Sequence, residues 1–215
     1  MAVELSKLGV GLEEIDFVFI THLHADHVSG LKALLAKVSP TVVGPERLRR
    51  EVVEAGCDFI PASEGANRLN GIAFNCTRLP HDANPTYGYR IEAGGRAVAV
   101  ATDLGMWDEK VLKLIDGSDL ALWESNHDEF MLENGGYPWS QKQRIKGPLG
   151  HLSNTSSVNA ILSLDKPPST LVLGHLSRDN NRVELVHDAF EAAHVDKFAK
   201  LEVIDPHGKG IEHEL

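Results

Sequence analysis

The sequence predicts a single α/β domain, in which strands and helices alternate along the chain. Its 215 residues suit one such domain with a sizeable core. Hydrophobic residues make up 42% of the chain and charged residues 24%, which is ordinary for a globular protein. Strand-like and helix-like segments alternate without a linker long enough to divide them. We therefore expect residues 1–215 to form one domain.

In the first half of the chain, apolar periodicity and turn residues predict the elements. Residues 15–22 ("IDFVFITH") resemble a buried strand. Residues 26–38 form an amphipathic pattern that predicts one helix, with Leu31, Leu34, Leu35 and Val38 on one face. A short strand at 40–44 precedes a helix at 45–56, which has Pro45 at its start and Gly56 at its end.

The second half continues the alternation of strands and helices. Strands are predicted at 71–80, 120–125, 169–175 and 200–205. Residues 87–103 predict a hairpin around Gly94 and Gly95. Helices are predicted at 108–117, 153–164 and 180–193.

Composition and charge argue against several classes of protein. No apolar run approaches the length of a membrane span, and the first residues lack the apolar region of a secretory signal. Cys57 and Cys76 do not form a paired spacing, which fits a reducing compartment, so we expect a cytoplasmic protein without membrane association. The net charge of −10 disfavours nucleic-acid binding through overall charge, so such binding would need a local patch or bound metal.

The stretch "ITHLHADHVSG", residues 20–30, places His22, His24, Asp26 and His27 directly behind the first predicted strand. His22 and His24 are two residues apart, so their side chains can point the same way from an extended segment. Imidazole and carboxylate groups suit zinc, manganese or iron. A lone histidine is usually a solvated loop residue, but this density of ligands predicts a metal site.

Further ligands are expected at the ends of other strands, where sites collect in layered α/β folds. His81, Asp103 and His175 each follow a predicted strand. Taken singly, each could be a turn residue. With His22, His24, Asp26 and His27 they form a set of seven, too many for one tetrahedral ion and suited to two divalent ions. The carboxylate of Asp103 could bridge both.

These residues resemble those of the metallo-β-lactamase superfamily, a four-layer αβ/βα sandwich with a dinuclear metal site. "THLHADH" matches its defining motif, and His81, Asp103 and His175 match later motifs in order. More narrowly, residues 12–187 resemble the YycJ (WalJ) family of bacterial proteins, through "HDANPTYGYRIE", "ATDLG", "ESNHDEFML", "YPWSQKQRIKGPLGHLSN" and "HLSRDNN". The resemblance implies a phosphodiesterase with 5′-to-3′ exonuclease activity on DNA; ribonuclease Z and the phosphodiesterase PhnP are more distant relatives.

The start of the chain departs from the superfamily pattern, which normally opens with a β-rich segment and a D-x-G turn before its first helix. Here residues 4–11 ("ELSKLGVG") look like the tail of that helix. We therefore expect an N-terminally incomplete sandwich that lacks the N-terminal strands, leaves a sheet edge unpaired and retains every metal ligand.

Two ions about 3.5–4 Å apart would activate a bridging hydroxide as the nucleophile and clamp the oxygens of a phosphodiester. By resemblance to ribonuclease Z, Glu124 would orient His151, which would donate a proton to the leaving oxygen or grip the phosphate. Asp26, Glu124 and His151 are the catalytic candidates. The alternatives are a solvated strand end for Glu124 and a neighbour of a helix cap for His151. His127 and Asp128 either line the cleft or cap the following helix.

Substrate-binding candidates lie in "HLSRDNN": Ser177, Arg178 and Asn181 could contact substrate, although turn formation and helix capping better explain Ser177 and Asn181. Further candidates for phosphate contacts are basic, namely Lys142, Arg144, Lys146 and Arg182, although such charge groups more often form a solvated face. Trp123, Trp139, Tyr87 and Tyr89 could stack on a base, although core packing better explains Trp123 and Tyr89.

Three functions remain open from sequence alone. The first is a dinuclear phosphodiesterase or nuclease acting on nucleic acid or a small phosphodiester. The second is a thioester or lactam hydrolase of the same fold, and the third is an inactive fragment that holds metal for structure. An oxidoreductase of the diiron flavoprotein type is disfavoured, because those proteins replace a histidine of the first motif with glutamate and His24 is intact. The sequence predicts neither the metal nor the oligomeric state.

Overall fold

The computed structural model describes residues 2–208, and the side chains of residues 5–208. Met1 and residues 209–215 of the predicted domain lie outside the described residues. The strands of the described part form one sheet of three strands and one of seven. The smaller sheet is parallel and contains, in spatial order, β1 (Phe17–Phe19), β2 (Thr41–Gly44) and β3 (Phe59–Pro61).

The larger sheet is mixed and has the spatial order β10-β9-β8-β7-β6-β5-β4. Its strands in chain order are β4 (Gly65–Leu69), β5 (Ile72–Leu79), β6 (Thr86–Ala93), β7 (Arg96–Ala101), β8 (Leu120–Glu124), β9 (Thr170–Gly174) and β10 (Lys200–Val203). Strands β4 to β7 pair antiparallel, whereas β7 to β10 pair parallel. Strands β5, β7, β8 and β9 therefore run in one direction, and their carboxyl ends lie at the same end of the sheet.

The α-helices of the described residues are short. They are α1 (Ala2–Lys7), α2 (Ala25–Val28), α3 (Leu31–Leu35), α4 (Arg49–Glu54), α5 (Glu109–Ile115), α6 (Glu129–Asn134), α7 (Trp139–Lys146), α8 (Asn154–Leu162) and α9 (Val183–Ala192). Single 3₁₀ turns occur at Leu12–Glu14, Glu46–Leu48 and Val195–Lys197. Among residues 2–208, none of the helices is long and apolar enough to cross a bilayer.

Three apolar clusters separate four layers of secondary structure. Helices α3 and α4 pack on the outer face of the smaller sheet, around the fully buried Val42 of β2. The next residue, Val43, faces the other way and packs with Phe74 and Tyr89 of the larger sheet. Helices α5, α8 and α9 cover the opposite face of the larger sheet, around the fully buried Trp123. The order helix, sheet, sheet, helix confirms the predicted four-layer αβ/βα sandwich.

Two predictions near the start of the chain were wrong in detail. The strand expected over residues 15–22 is confined to Phe17–Phe19 and is only half-buried, because β1 lies at the edge of the smaller sheet. The single helix expected over residues 26–38 is two helices, α2 and α3, with Ser29 and Gly30 between them. Serine and glycine are weak helix formers, and Gly30 caps the second helix. Val38 lies beyond the end of α3 and is half-buried.

Most other elements match their predictions, including the hairpin, in which Gly94 and Gly95 have φ angles of 57° and 77°. Three elements were not predicted: β3, β4 and α7. The helix expected after Asp128 is α6. Helix α7 has three basic residues and no fully buried side chain, so it lacks the apolar stripe that a sequence search detects.

Candidate metal centre

The carboxyl ends of four parallel-running strands meet at one end of the larger sheet. His81 follows β5, Asp103 follows β7, Glu124 ends β8 and His175 follows β9. The turn after β1 joins them from the smaller sheet. Two hydrogen bonds from β6 hold this turn in place. The hydroxyl of Tyr89 donates to the carbonyl of Ile20 at 2.8 Å, and the N–H of Tyr87 donates to the carbonyl of Thr21 at 2.9 Å.

Asp103 lies at the middle of the resulting cluster and is buried. Its Oδ1 is 3.9 Å from His22 Nε2, 3.7 Å from His81 Nε2 and 3.3 Å from His175 Nε2. Its Oδ2 is 3.5 Å from His27 Nε2. One carboxylate therefore faces four imidazoles.

The remaining ligand candidates include two groups of three residues whose ligand atoms lie close together. In the first group, ligand atoms of His22, His24 and His81 all lie within 4.8 Å of one another. In the second group, the same is true of Asp26, His27 and His175. The structure thus brings together all seven residues that the sequence predicted as metal ligands.

The outer ring nitrogens of three of these histidines make hydrogen bonds that point Nε2 into the cluster. Nδ1 of His22 is 3.1 Å from the Thr21 hydroxyl, and Nδ1 of His81 is 3.2 Å from the Gly150 carbonyl. Nδ1 of His175 is 3.1 Å from Glu124 Oε1. Such supporting contacts fix the ring orientation and the tautomer that a metal requires.

The cluster fits divalent cations because it contains buried polar atoms that the protein itself leaves unpaired. His22 Nε2, His81 Nε2 and Asp103 Oδ2 have no hydrogen-bond partner. Each such atom costs on the order of 1–3 kcal/mol when buried alone. All three belong to residues of the same cluster, and bound cations would satisfy them.

Backbone conformation adds a second observation. Asp103 and His175 have φ angles of 64° and 57°, in the left-handed region that non-glycine residues rarely adopt. Each costs on the order of 1–3 kcal/mol, and such strain collects at functional sites. Both residues use it to turn a side chain back from a strand end towards the cluster.

The electrostatic surroundings of two of these histidines also favour cation binding. Burial is the main factor that lowers the pKa of His22 to about 4; neighbouring imidazoles add to the effect and Asp103 opposes it. The ring is therefore neutral at pH 7, the form that binds metals. For His175, burial opposes protonation, but Glu124 and Asp103 outweigh it and raise the pKa to about 9. The carboxylates that favour a proton there also favour a metal cation.

Glu124 is fully buried behind the cluster and accepts three hydrogen bonds. Its Oε1 is 2.7 Å from His151 Nδ1 and 3.1 Å from His175 Nδ1, and its Oε2 accepts the N–H of Leu104 at 2.8 Å. Burial would raise the pKa of this carboxyl, but the hydrogen bonds from both histidines prevail and hold it at about 2. Glu124 therefore remains ionised and fixes the position of both imidazoles.

The substrate-binding candidates occupy different environments. Arg178 is exposed and Ser177 is half-buried, with its hydroxyl accepting the N–H of Asn180 at 3.1 Å. Asn181 is buried, and its amide donates to the Ser125 carbonyl and to Asn154 Oδ1, both at 2.9 Å. Its side chain thus serves the protein's own hydrogen bonds, and substrate contact by Asn181 stays a prediction.

Asp82 lies next to the centre, and the sequence predicted neither its position there nor its contact with Arg144. Asp82 Oδ1 lies 3.7 Å from His24 Nε2 and 3.5 Å from His81 Nε2, while its Oδ2 pairs with Arg144 of α7 at 2.6 Å. The only available signal was that Asp82 directly follows His81.

Asp128, whose role was left open, caps α6 by accepting the N–H of Met131. His127 is buried.

The family model described as "Beta-lactamase superfamily domain" matches residues 4–176. The chain belongs to this superfamily. It is 30% identical over 192 residues to the exodeoxyribonuclease WalJ of Streptococcus pneumoniae serotype 2, covering 85% of this chain and 71% of that protein. It is 29% identical over 183 residues to the exodeoxyribonuclease YycJ of Bacillus anthracis, covering 82% and 69%. The resemblance drawn from the sequence motifs is confirmed.

Two solved structures share the fold. The metallo-β-lactamase fold protein YhfI from Bacillus subtilis aligns with a TM-score of 0.68 at 17% identity, over 94% of this chain and 80% of that chain. Zn²⁺-bound PqqB from Methylobacterium extorquens aligns with a TM-score of 0.62 at 19% identity, over 89% and 71%. Identities this low establish the common architecture alone.

Proposed function

We propose that this protein is a metal-dependent phosphodiesterase that degrades DNA from its 5′ end. The observation that carries the proposal is the position of Asp103 among four imidazoles, next to the buried Glu124–His151 pair. Such a site supplies both a cation cluster and a proton-bearing side chain. The names of the two relatives, both exodeoxyribonucleases, support DNA as the substrate.

His22, His24 and His81 would hold one divalent cation, and Asp26, His27 and His175 a second, with Asp103 between them. When bound, two cations activate water for attack and stabilise charge on the oxygens of a phosphodiester. A site of imidazoles and carboxylates suits zinc, manganese or iron. In this proposal Asp26 contributes to catalysis as a ligand of the second cation.

His151 is the candidate proton donor. Its Nδ1 is held by the ionised Glu124, which leaves Nε2 as the free ring atom. Its ring centre lies 5.0 Å from that of His81 and 5.2 Å from that of His175, so it borders both cation groups. From this position Nε2 would hold a proton at the leaving oxygen of the phosphodiester.

The experiment compares three substrates: DNA labelled at either end, bis(p-nitrophenyl) phosphate and an acyl thioester. Each is incubated with Zn²⁺ or Mn²⁺ and the wild-type protein, His22→Ala or His187→Ala; His187 is a histidine of α9, outside the cluster. We expect release of 5′ nucleotides and hydrolysis of the phosphate diester, both abolished in His22→Ala and retained in His187→Ala.

Two outcomes would overturn the proposal. Turnover of thioesters alone would identify a different hydrolase of the same fold. Bound metal without turnover of any substrate would identify a protein that uses its ions for structure.

A further inference from the structure

A carboxylate outside the seven predicted ligands approaches the first cation group, which is the set of His22, His24 and His81. Asp82 follows His81 directly in the chain. Its Oδ1 lies 3.7 Å from His24 Nε2 and 3.5 Å from His81 Nε2. This oxygen is therefore close to two of the three imidazoles that would hold the first cation.

The two distances suit ligands of a shared cation better than groups joined by a hydrogen bond. N–H···O hydrogen bonds in proteins join atoms about 2.7–3.2 Å apart, so both distances are long for a shared proton. Two ligand atoms about 2.0–2.2 Å from a tetrahedral ion lie roughly 3.3–3.6 Å apart, which is close to both distances. Asp103 has the same spacing, since its Oδ1 is 3.7 Å from His81 Nε2. Asp82 is thus as near to this imidazole as a predicted ligand is.

Hydrogen bonds to one neighbouring segment fix the position of Asp82 relative to His81. The N–H of Asp82 donates to the Leu149 carbonyl at 3.1 Å. Nδ1 of His81 is 3.2 Å from the carbonyl of Gly150, the next residue of the same segment. This segment follows α7 and leads into His151. Because one segment holds both residues, the carboxylate and the imidazole keep a fixed relation.

Arg144 of α7 holds the Asp82 side chain through one oxygen only. Nε and Nη2 of its guanidinium both contact Asp82 Oδ2, each at 2.6 Å. The other oxygen, Oδ1, is the one that faces the imidazoles. Carboxylates that bind metals are commonly held by hydrogen bonds of this kind from neighbouring side chains. The arginine therefore restricts the carboxylate without occupying the oxygen that a cation would contact.

We propose that Asp82 is an eighth ligand of the metal centre, which binds the cation of the first group, and that Arg144 is the residue that positions it. This inference rests on the proposed function for the cations themselves and adds a basis for their identity. Imidazole nitrogens suit zinc, whereas carboxylate oxygens suit manganese. Binding of Mn²⁺ in the first group should therefore depend on Asp82 more strongly than binding of Zn²⁺.

Metal binding is measured without substrate, by titrating the protein with Mn²⁺ or Zn²⁺ alone after EDTA treatment and dialysis. Free Mn²⁺ is measured by its electron paramagnetic resonance signal, and Zn²⁺ binding by competition with a chromophoric chelator. We expect Asp82→Asn to weaken the binding of one Mn²⁺ ion about 10- to 100-fold and to weaken Zn²⁺ binding less. Arg144→Gln leaves the carboxylate in place but no longer fixes it, so its loss of Mn²⁺ affinity should be smaller.

A second aspartate–arginine pair provides the matched control. Arg96 Nη1 lies 2.9 Å from Asp119 Oδ1. Arg96 begins β7 and Asp119 directly precedes β8, so both lie at the end of the sheet opposite the metal centre. Asp119→Asn should therefore bind both metals like wild type. A double variant locates the effect: in His81→Ala, which should keep the second ion, adding Asp82→Asn should leave the affinity for that ion unchanged.

Unchanged Mn²⁺ affinity in Asp82→Asn would refute the assignment of Asp82 as a ligand. Zn²⁺ binding weakened as much as Mn²⁺ binding would do the same, because it would indicate a residue that only supports the fold of the site. Wild-type Mn²⁺ affinity in Arg144→Gln would refute the positioning role. A protein that binds Mn²⁺ through Asp82 but hydrolyses no phosphodiester would overturn the proposed function and leave this inference intact. DNA hydrolysis by a protein whose metal affinities are unaffected by Asp82→Asn would mean the reverse.

Discussion

Replacing Glu124 with glutamine tests whether this buried carboxylate organises the proton donor. Glu124 accepts hydrogen bonds from His151, His175 and the N–H of Leu104. Glutamine has the same shape, but one of its two terminal groups is a donor. In either orientation of the amide, a donor therefore faces at least one of these donors, unless an imidazole changes its tautomer.

The structure sets the size of the effect. One buried donor without a partner costs about 1–3 kcal/mol, so Glu124→Gln should lower the free energy of unfolding by about that amount. Loss of a positioned general acid typically costs about 100- to 10,000-fold in rate. We expect this loss in kcat for DNA, whose leaving group is a sugar hydroxyl.

The assay compares kcat for DNA with kcat for bis(p-nitrophenyl) phosphate at equal metal content. p-Nitrophenolate leaves without a proton, so its release should be slowed far less than cleavage of DNA. Glu51→Gln, an exposed glutamate of α4, is the matched control and should behave as wild type. Equal losses on both substrates, with metal content intact, would refute the role of Glu124 in proton donation.

Further predictions concern packing and pH. Gly105→Ala would place a Cβ atom 2.4 Å from the Gly147 carbonyl, so it should lower the free energy of unfolding by about 1–3 kcal/mol in urea. Gly136→Ala, with open space around its Cβ, should change it by less than about 0.5 kcal/mol, and equal effects would contradict this reasoning. Burial is the main factor that lowers the pKa of His127 to about 4 in the folded protein. As the pH drops from about 6.5 towards about 4, this histidine is protonated in the unfolded chain but not in the folded one, so the free energy of unfolding should fall. Over that pH range the free energy of unfolding of His127→Gln, measured with urea in EDTA, should fall by up to about 3 kcal/mol less than that of wild type. Parallel plots of the free energy of unfolding against pH for the two proteins would exclude the effect.

The cation cluster could be predicted from sequence because its chemistry is local to each motif. His22, His24, Asp26 and His27 come within six residues of one another. His81, Asp103 and His175 could be placed because each follows a strand that an apolar run makes visible. A strand end fixes where the next side chains lie, so the motifs converge once the sheet forms.

Contacts between distant segments could not be predicted in the same way. Glu124 was expected to orient His151, but its second hydrogen bond, to His175, depends on the adjacent pairing of β8 and β9. The contact of Asp82 with Arg144 joins residues 62 positions apart. Neither partner carries a sequence pattern that identifies the other.

Local propensity also failed where the chain leaves a regular pattern. The apolar spacing of residues 26–38 suggested one helix, and Leu31, Leu34 and Leu35 are buried as expected. Apolar spacing takes no account of Ser29 and Gly30, where the helix is interrupted. Helix α7 escaped notice for the opposite reason, since its exposed tryptophan and its basic residues give no apolar period.

Counting metal ions tests the central claim most directly. The protein is dialysed against Zn²⁺ or Mn²⁺ and separated from free metal. Its metal content is then measured by inductively coupled plasma mass spectrometry. We predict two ions per wild-type chain, about one in His81→Ala, none retained tightly in Asp103→Ala and two in His187→Ala. A wild-type chain that binds no divalent ion, or one whose metal content is unaffected by Asp103→Ala, would contradict the account.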